Sequence, residues 1–324
     1  MAAAATATPG TPRTPGTPRT ADTARRLALT GALVAGALVA LQQRINGELK
    51  ATLGDAVLTA ALSFAIGLAC VAAAVLARPS ARRAVAGLRA TRWWERLGGL
   101  SGAALVAVAA AVEPVLGVAL LTVALVAGQT FGGVIVDRVG LGPGGRRPLT
   151  PPRLAGAVLC LAAVTVSVLG KGAREATPPL LVLVVAAGFA TSLQQALNGR
   201  VNVTTGDAAV TTALNFLVGT CALLLGLGLR AAVHGVAVAH WPGVDQWYLY
   251  SGGPLGTVFV AIAAVVVRAL GVLRLGLAVV AGQLVGAVLL DAVLPTADAR
   301  LSALTVVGAG VTLLAVAVSG SGSR

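Results

Sequence analysis

The sequence predicts an all-α membrane protein with ten transmembrane helices, arranged as two inverted five-helix repeats. The composition, the spacing of the apolar runs and an internal repeat lead to this prediction. Of the 324 residues, 57% are hydrophobic and only 11% are charged, and the mean hydropathy is +0.90. A soluble domain typically carries about 25% charged residues to cover its surface. The composition therefore excludes a soluble enzyme.

The 41 glycines and the low aromatic content of 3% favour helices that pack closely in a bilayer, because small residues let helix backbones approach one another. The three cysteines lie far apart inside apolar runs, so neither a disulfide framework nor a metal site is predicted. The net charge of +13 would suggest nucleic acid in a soluble chain. Here the basic residues lie in the gaps between apolar runs, as membrane topology requires, so no nucleic-acid partner is expected.

The first 26 residues are rich in Thr, Pro and Arg and contain no apolar face. We therefore predict a disordered cytoplasmic tail at 1–26. Ten charge-free apolar runs follow, and four of them have only 16 or 17 residues, fewer than the roughly 18 that identify a spanning helix by themselves. The runs are 27–43, 56–77, 97–112, 114–136, 154–170, 176–199, 208–229, 246–267, 275–290 and 301–323.

An internal repeat supports the short runs. Three motifs occur in both halves: Leu-Gln-Gln-x-x-Asn-Gly, Gly-Asp-Ala and Ala-Gly-Gln. They begin at 41 and 193, at 54 and 206, and, after a two-residue slip, at 127 and 281. In this register each short run is paired with a longer one. The pattern predicts two repeats of five spans each, at 27–170 and 176–323.

An odd number of spans per repeat gives the two copies opposite orientations in the membrane. With the N-terminus inside, 18 of the 24 Lys and Arg residues fall in inner segments and 6 in outer segments. This excess predicts that both termini are cytoplasmic. Inverted repeats are a recurrent plan of secondary transporters, whose binding site lies at the repeat interface near the middle of the bilayer.

Further short motifs extend the pattern in the first half. Trp-Trp-x-x-x-Gly-Gly begins at 93, Glu-Pro-x-Leu-Gly at 113 and Val-Ala-Gly-Gln at 126. Together with the repeated motifs, their order resembles the YdcZ-type branch of the drug/metabolite transporter superfamily over residues 27–320. The chain looks like a tandem fusion of two such units. The resemblance implies a ten-helix transporter fold and an exporter role in the bacterial plasma (inner) membrane, and it names no substrate.

Amide side chains near the ends of spans are the candidate substrate path. Gln42 and Asn46 are four residues apart and share one helical face, with Gln43 beside them, and the second repeat has the same arrangement. Amides in a bilayer must face the bundle or a wet cavity, and their donors and acceptors suit a neutral or zwitterionic solute. Hydrogen bonding between helices, or a simple polar helix end, is the open alternative. The candidates are Gln42, Gln43, Asn46, Gln129, Gln194, Gln195, Asn198 and Gln283.

The two clusters should lie toward opposite faces and form a symmetric pair of gates, the first outside and the second cytoplasmic. Gln129 and Gln283 are expected on the same sides as Gln194 and Gln42 respectively. The glycines beside them have the four-residue spacing that permits close helix crossing, so we predict a packing role. These glycines are Gly128, Gly132, Gly282 and Gly286.

Glu113 is the candidate coupling residue, because an intramembrane acid can bind a proton or a cation. Its position at a span junction favours the alternative, a solvated loop charge. No acid lies near the middle of any span. The small multidrug resistance relatives use a glutamate deep in their first helix, so we predict against that cation antiport mechanism. The chain also has no Gly-rich phosphate loop with a following Lys-Ser or Lys-Thr, which argues against an ATP-driven pump.

The leading interpretation is a secondary transporter, not an enzyme, that exports a small metabolite by alternating access. Its expected partners are a small-molecule substrate and the lipid bilayer, with no cofactor and no metal. Because the chain supplies both orientations of the repeat, a monomer suffices. One alternative is an accessory or scaffold protein without transport activity. A lipid-modifying membrane enzyme is the less favoured alternative, because no acid, base, nucleophile or metal cluster stands at recognisable spacing.

Overall fold

A computed structural model describes residues 18–168, 178–235, 238–293 and 303–321. All regular secondary structure in these ranges is helical, which confirms the predicted all-α class. Short 3-10 segments lie at Val85–Ala90, Trp93–Leu97 and Val244–Ser251. The α-helices are α1 (Pro18–Leu53), α2 (Ala56–Ala77), α3 (Pro79–Ala84), α4 (Gly98–Val139), α5 (Pro151–Val168), α6 (Pro178–Thr205), α7 (Ala208–His234), α8 (Gly252–Leu270), α9 (Val272–Val293) and α10 (Ala303–Ser321).

Seven helical segments among the described residues are long and apolar enough to cross a membrane. They belong to α1, α2, α4, α6, α7, α8 and α9, while the apolar parts of α5 and α10 are shorter. Large aliphatic side chains on the outer surface are exposed, including 67% of Leu76, 65% of Leu225 and 58% of Leu289. Such a surface is stable when lipid surrounds it. The protein is therefore a multi-pass helical membrane protein.

The first helix is longer than its predicted span. α1 begins at Pro18 and ends at Leu53, beyond the predicted limits of 27–43 on both sides. Residues 18–26, which the sequence assigns to the tail, therefore form its first turns, where proline is tolerated because its missing N–H would have no helical partner. Residues 1–17 of the predicted disordered tail lie outside the described residues.

α4 covers both the third and the fourth predicted spans, and it folds back on itself. Gly98 lies against Asn198 of α6, whereas Gly132 lies against Ser192 of the same helix. The two contact points on α6 are six residues apart, or about 9 Å, while a straight helix would separate Gly98 from Gly132 by about 51 Å. The chain therefore reverses within α4, and its two arms correspond to the two predicted spans.

α2 and α7, the equivalent helices of the two repeats, run antiparallel. Asp55 and Asp207 cap them in the same way, since each carboxylate accepts two backbone N–H groups at 2.8 to 3.2 Å. Asp55 pairs with Arg230 near the end of α7, and Asp207 pairs with Arg78 at the end of α2. Arg78 and Arg230 occupy equivalent positions, so the two ion pairs are copies of each other at opposite ends of the bundle. Inverted repeats require this reciprocity.

Glycines bring the two halves into backbone contact. Gly128 lies against Val185 of α6, and Gly282 lies against the equivalent Leu33 of α1. A methyl group at either glycine would overlap the facing carbonyl oxygen. One turn further along, Gly132 lies against Phe189, and Gly286 lies against Ala37. The four glycines thus stand at the α4–α6 and α1–α9 crossings.

Candidate substrate path

A pair of aromatic rings marks the pseudo-two-fold axis of the bundle. Phe64 of α2 and Phe216 of α7 are repeat equivalents, and their ring centroids lie 5.0 Å apart with the planes inclined by 32°. Each ring covers a glycine of the facing helix, Gly219 and Gly67 respectively, where no Cβ would fit. Because equivalent residues meet each other, the axis relating the two halves passes between the rings.

On one side of the ring pair, three amides from α6 and α7 share hydrogen bonds. The side-chain oxygen of Asn215 accepts from Nε2 of Gln194 at 2.9 Å and from Nδ2 of Asn198 at 3.0 Å. Asn215 is 2% exposed and Asn198 is 7% exposed, while Gly98 of α4 lies directly against the Asn198 amide. We call Gln194, Asn198 and Asn215 the inner cluster, because the distribution of Lys and Arg along the sequence predicts that they lie toward the cytoplasm.

The equivalent residues of the first repeat form an outer cluster, defined as Gln42, Asn46 and Ser63. Ser63 donates its hydroxyl to Oδ1 of Asn46 at 3.2 Å. Two glycines of α8, Gly252 and Gly256, lie against the amides of Asn46 and Gln42 respectively, as the α4 glycines do in the inner cluster. Ser63 stands where the inner cluster has an asparagine. One hydrogen bond therefore replaces the two of the inner cluster.

Glycines link each cluster to the ring pair. A Cβ at Gly102 would lie 3.1 Å from the Phe64 ring and 3.8 Å from Nε2 of Gln194. The equivalent Gly256 stands in the same way between the Phe216 ring and the outer cluster. The outer cluster, the two rings and the inner cluster therefore form a continuous series of contacts, with amides at both ends and an aromatic barrier between them.

The other predicted amides lie outside these two clusters. Gln195 is 8% exposed, and its Oε1 has no hydrogen-bond partner among the described residues, whereas Gln43 is exposed. Gln129 lies at the α4–α6 crossing, where its backbone carbonyl accepts from the Ser192 hydroxyl at 2.6 Å. Its equivalent Gln283 lies at the α1–α9 crossing. These two glutamines stand beside the packing glycines.

The predicted coupling residue Glu113 belongs to a stretch of α4 whose side chains lie outside the described residues. Within the described part of the chain, no group of three His, Cys, Asp or Glu side chains could hold a metal ion. The clusters themselves consist of amides, a hydroxyl and glycines. They can bind a polar solute through donors and acceptors, and they contain no nucleophile paired with a base.

A cavity of about 400 Å³ opens between α1 and α9. Arg44, Gly47 and Glu48 line it. Arg44 is two residues from both Gln42 and Asn46, so it lies on a different face of α1 from these amides. Arg44 and Glu48 form an ion pair at 3.6 Å, so the cavity carries both charges. None of the described residues that line it belongs to the outer cluster.

Sequence reasoning missed Asn215, Ser63 and Glu95. Asn215 was detectable, because it is an amide inside an apolar run at the position equivalent to Ser63. Glu95 is 5% exposed and accepts from Nε of Arg200 at 2.6 Å, while that guanidinium also lies 5.3 Å from the Trp94 ring. Nothing in the sequence brings together an acid and an arginine so far apart in the chain.

Comparisons with known proteins agree with the geometry. The family model described as "Putative inner membrane exporter, YdcZ" matches twice, at residues 27–166 and 179–318. A solved crystal structure of a protein 22% identical in sequence has the same fold, with a TM-score of 0.67 over 92% of this chain and 96% of that chain. No curated protein matches the sequence. The chain therefore belongs to the YdcZ family of membrane exporters, whose unit it carries twice in tandem.

Proposed function

We propose that the protein is a secondary transporter that exports a small polar solute by alternating access. Two inverted halves at 27–170 and 176–323, with five spans each, exchange conformations across the bilayer. The protein lies in the bacterial plasma membrane with both termini cytoplasmic, and one chain suffices because it contains both orientations of the unit.

The observation that carries this proposal is the reciprocity of the contacts around the ring pair. Equivalent residues meet across the axis, and the ion pairs of α2 and α7 are repeated at both ends of the bundle. Two halves that share the same motifs in inverted orientation can adopt either of two conformations, and exchanging these conformations moves the opening from one face to the other.

The chemistry of the clusters supports a neutral or zwitterionic solute. Amide groups offer donors and acceptors without net charge, and the described residues of the two clusters include no acid or base. The energy source is then an ion or solute gradient. Glu113 is the residue of the chain that we propose for coupling, because an acid at a span junction can bind a proton or a cation.

Cysteine labelling tests alternating access without a known substrate. Cys70, Cys160 and Cys221 are replaced, and a single cysteine is placed at position 42 or 194. A membrane-impermeant thiol reagent is then added to each side separately. We expect each position to react from both sides, because each conformation opens one end of the path.

The matched control is Leu225→Cys, at a position 65% exposed in an apolar span, which should react from neither side because the reagent does not enter lipid. Reaction of positions 42 and 194 from their near sides alone would instead favour a static scaffold. Flux in vesicles with and without an imposed ion gradient then tests transport itself. If an imposed gradient alters the flux of none of the solutes tried, the result counts against a secondary transporter.

A further inference from the structure

A cleft of about 180 Å³ opens between the ends of α1, α8, α9 and α10. A water molecule in the liquid takes about 30 Å³, so the cleft has the volume of about six water molecules. This volume has room for a phosphate group. Its walls combine three arginines with three buried or half-buried aliphatic side chains, so an anionic group and a hydrocarbon group find partners side by side. The lining residues are Arg25, Arg26, Leu29, Leu270, Arg274 and Val316.

The arginines of the cleft differ in exposure. Arg274 is only 7% exposed and donates from Nε to the backbone carbonyl of Ser319 at 2.9 Å, which fixes its guanidinium at the base of the cleft. Arg25 is half-buried and Arg26 is exposed. A ligand could therefore enter past Arg26 and reach a cation that the fold already holds in place.

Additional positive charge surrounds the cleft. Arg147 donates to the backbone carbonyls of Arg268 and the next residue at 2.8 and 3.1 Å, at the turn between α8 and α9. Burial lowers the pKa of Arg147; the Asp137 carboxylate opposes this shift, while the positive charges of Arg153 and Arg25 add to it. Arg25 is therefore within electrostatic reach of a second group of arginines.

Asp137, an acid near the cleft, has partners of its own. It is 2% exposed and forms an ion pair with Arg153. Its two oxygens also accept from the backbone N–H groups of Val272 and Leu273 at 2.8 and 3.2 Å. These four residues form a closed arrangement at the start of α9. The described residues that line the cleft include three arginines and no acid, so the lining favours an anion.

The basic character of the cleft breaks the repeat symmetry. The aliphatic residues Leu29 and Leu270 correspond to leucines at 181 and 116, but the three arginines have no basic counterpart. Arg25, Arg26 and Arg274 correspond to Thr177, Pro178 and Leu120. Because the repeats are inverted, the counterpart lies on the opposite face of the membrane. A basic cleft on one face alone fits a ligand that one leaflet supplies.

We propose that this cleft binds the phosphate of an anionic phospholipid in the cytoplasmic leaflet. The assignment of the leaflet rests on the proposed orientation of the chain, and it does not depend on transport activity. Arginine suits a phosphate because its planar guanidinium can donate two parallel hydrogen bonds, and basic pockets between membrane helices on the cytoplasmic side bind anionic head groups. The aliphatic walls and the exposed side chain of Leu27 offer surface to the acyl chains.

Lipid binding to the purified full chain in detergent tests this proposal. Phosphatidylglycerol is titrated against phosphatidylcholine, with bound lipid counted by native mass spectrometry. We expect phosphatidylglycerol to bind more tightly, and Arg25→Gln/Arg26→Gln to weaken it roughly 25-fold, at about fivefold for each arginine. The control Arg82→Gln/Arg83→Gln removes the same charge from an exposed pair in α3, away from the cleft, and should leave the affinity nearly unchanged.

Three results would overturn the proposal: equal losses in the two double variants, equal affinity for both lipids, or binding of glycerol 3-phosphate as tightly as of the lipid. The first would indicate diffuse surface charge, and the last would indicate a site for a free anion. Thermal unfolding checks that the variants are folded. If the double variant Arg25→Gln/Arg26→Gln does not fold, the single variant Arg26→Gln, at an exposed position, replaces it. The measurement of lipid binding needs no flux. A negative lipid-binding result therefore leaves the transport proposal standing, and a negative transport result leaves the lipid-binding proposal standing.

Discussion

Replacing Asn215 with alanine should destabilise the protein more than the equivalent change in the first repeat. Asn215 accepts from two amide donors at 2.9 and 3.0 Å, and it is 2% exposed. Ser63 makes one hydrogen bond at 3.2 Å. Side-chain hydrogen bonds between membrane helices contribute about 0.6 to 2 kcal/mol each. Asn215→Ala, which removes two such bonds, should therefore cost about 1.2 to 4 kcal/mol, and Ser63→Ala, which removes one, about 0.6 to 2 kcal/mol.

Reversible unfolding by SDS in mixed micelles, followed by tryptophan fluorescence, measures this difference. Asn215→Ser copies the residue of the first repeat into the second and keeps one hydroxyl, so it should lie between the alanine variant and the natural chain.

Equal costs for Asn215→Ala and Ser63→Ala would refute this reasoning. That outcome would mean that the buried donors find other partners when Asn215 is removed, so the inner cluster would not be held closed by its two hydrogen bonds. A larger cost for Ser63→Ala would contradict the proposed asymmetry of the two clusters outright.

Three further predictions follow from other contacts. Gly99→Ala should cost about 1 to 3 kcal/mol, because a Cβ there overlaps the backbone of α7, whereas Gly228→Ala, with open space around it, should be neutral or slightly stabilising in the same SDS unfolding assay. Burial would raise the pKa of Asp55, but hydrogen bonds from Arg230 and two backbone N–H groups, with the Arg230 charge, hold it below its ordinary value of 3.8. The stability that this carboxylate contributes is therefore present above about pH 4 and is lost as the pH falls through the lowered pKa. The difference in melting temperature between the natural chain and Asp55→Asn should be constant from about pH 7 to pH 5 and vanish at lower pH. A difference that already shrinks near pH 6 would contradict this assignment. Glu95→Gln should cost about 1 kcal/mol, since it keeps a hydrogen-bonding oxygen and loses the charge facing a partly exposed arginine, and unfolding that shows no difference at low salt would contradict it.

The apolar runs and the repeat predicted most of the architecture because both depend on local properties of the sequence. A helix that spans lipid is predominantly apolar over about 20 residues, so the apolar runs located most of the helices. The apolar runs that begin at 56 and 208 follow the two Gly-Asp-Ala motifs, and Asp55 and Asp207 cap the two helices through bonds from residues two and three positions away. Inversion followed from counting spans, and the antiparallel arrangement of α2 and α7 agrees with it.

Partners across the two halves were less accessible to sequence reasoning. The pattern predicted that Gln194 and Asn198 share a polar face. The acceptor that joins them, Asn215, lies on α7, and its position depends on how α6 and α7 cross. The contact between Phe64 and Phe216 on the axis emerged only with the fold. The limits of α1 also differed from the predicted run. Polar residues after position 43 continue the helix, although the hydropathy of the sequence predicted that it ends there.

The sequence by itself determined that this chain is a membrane protein with a duplicated unit, and it named the amides and glycines that the unit repeats. These properties depend on residue type and on order along the chain, which the sequence states directly. Only the tertiary structure decided that α4 folds back between two nearby points of α6, that Asp55 and Asp207 pair with each other's helix, and that arginines from α1 and α9 line one cleft. These contacts join residues at least 60 positions apart, and they depend on helix crossings and side-chain directions that no local pattern encodes.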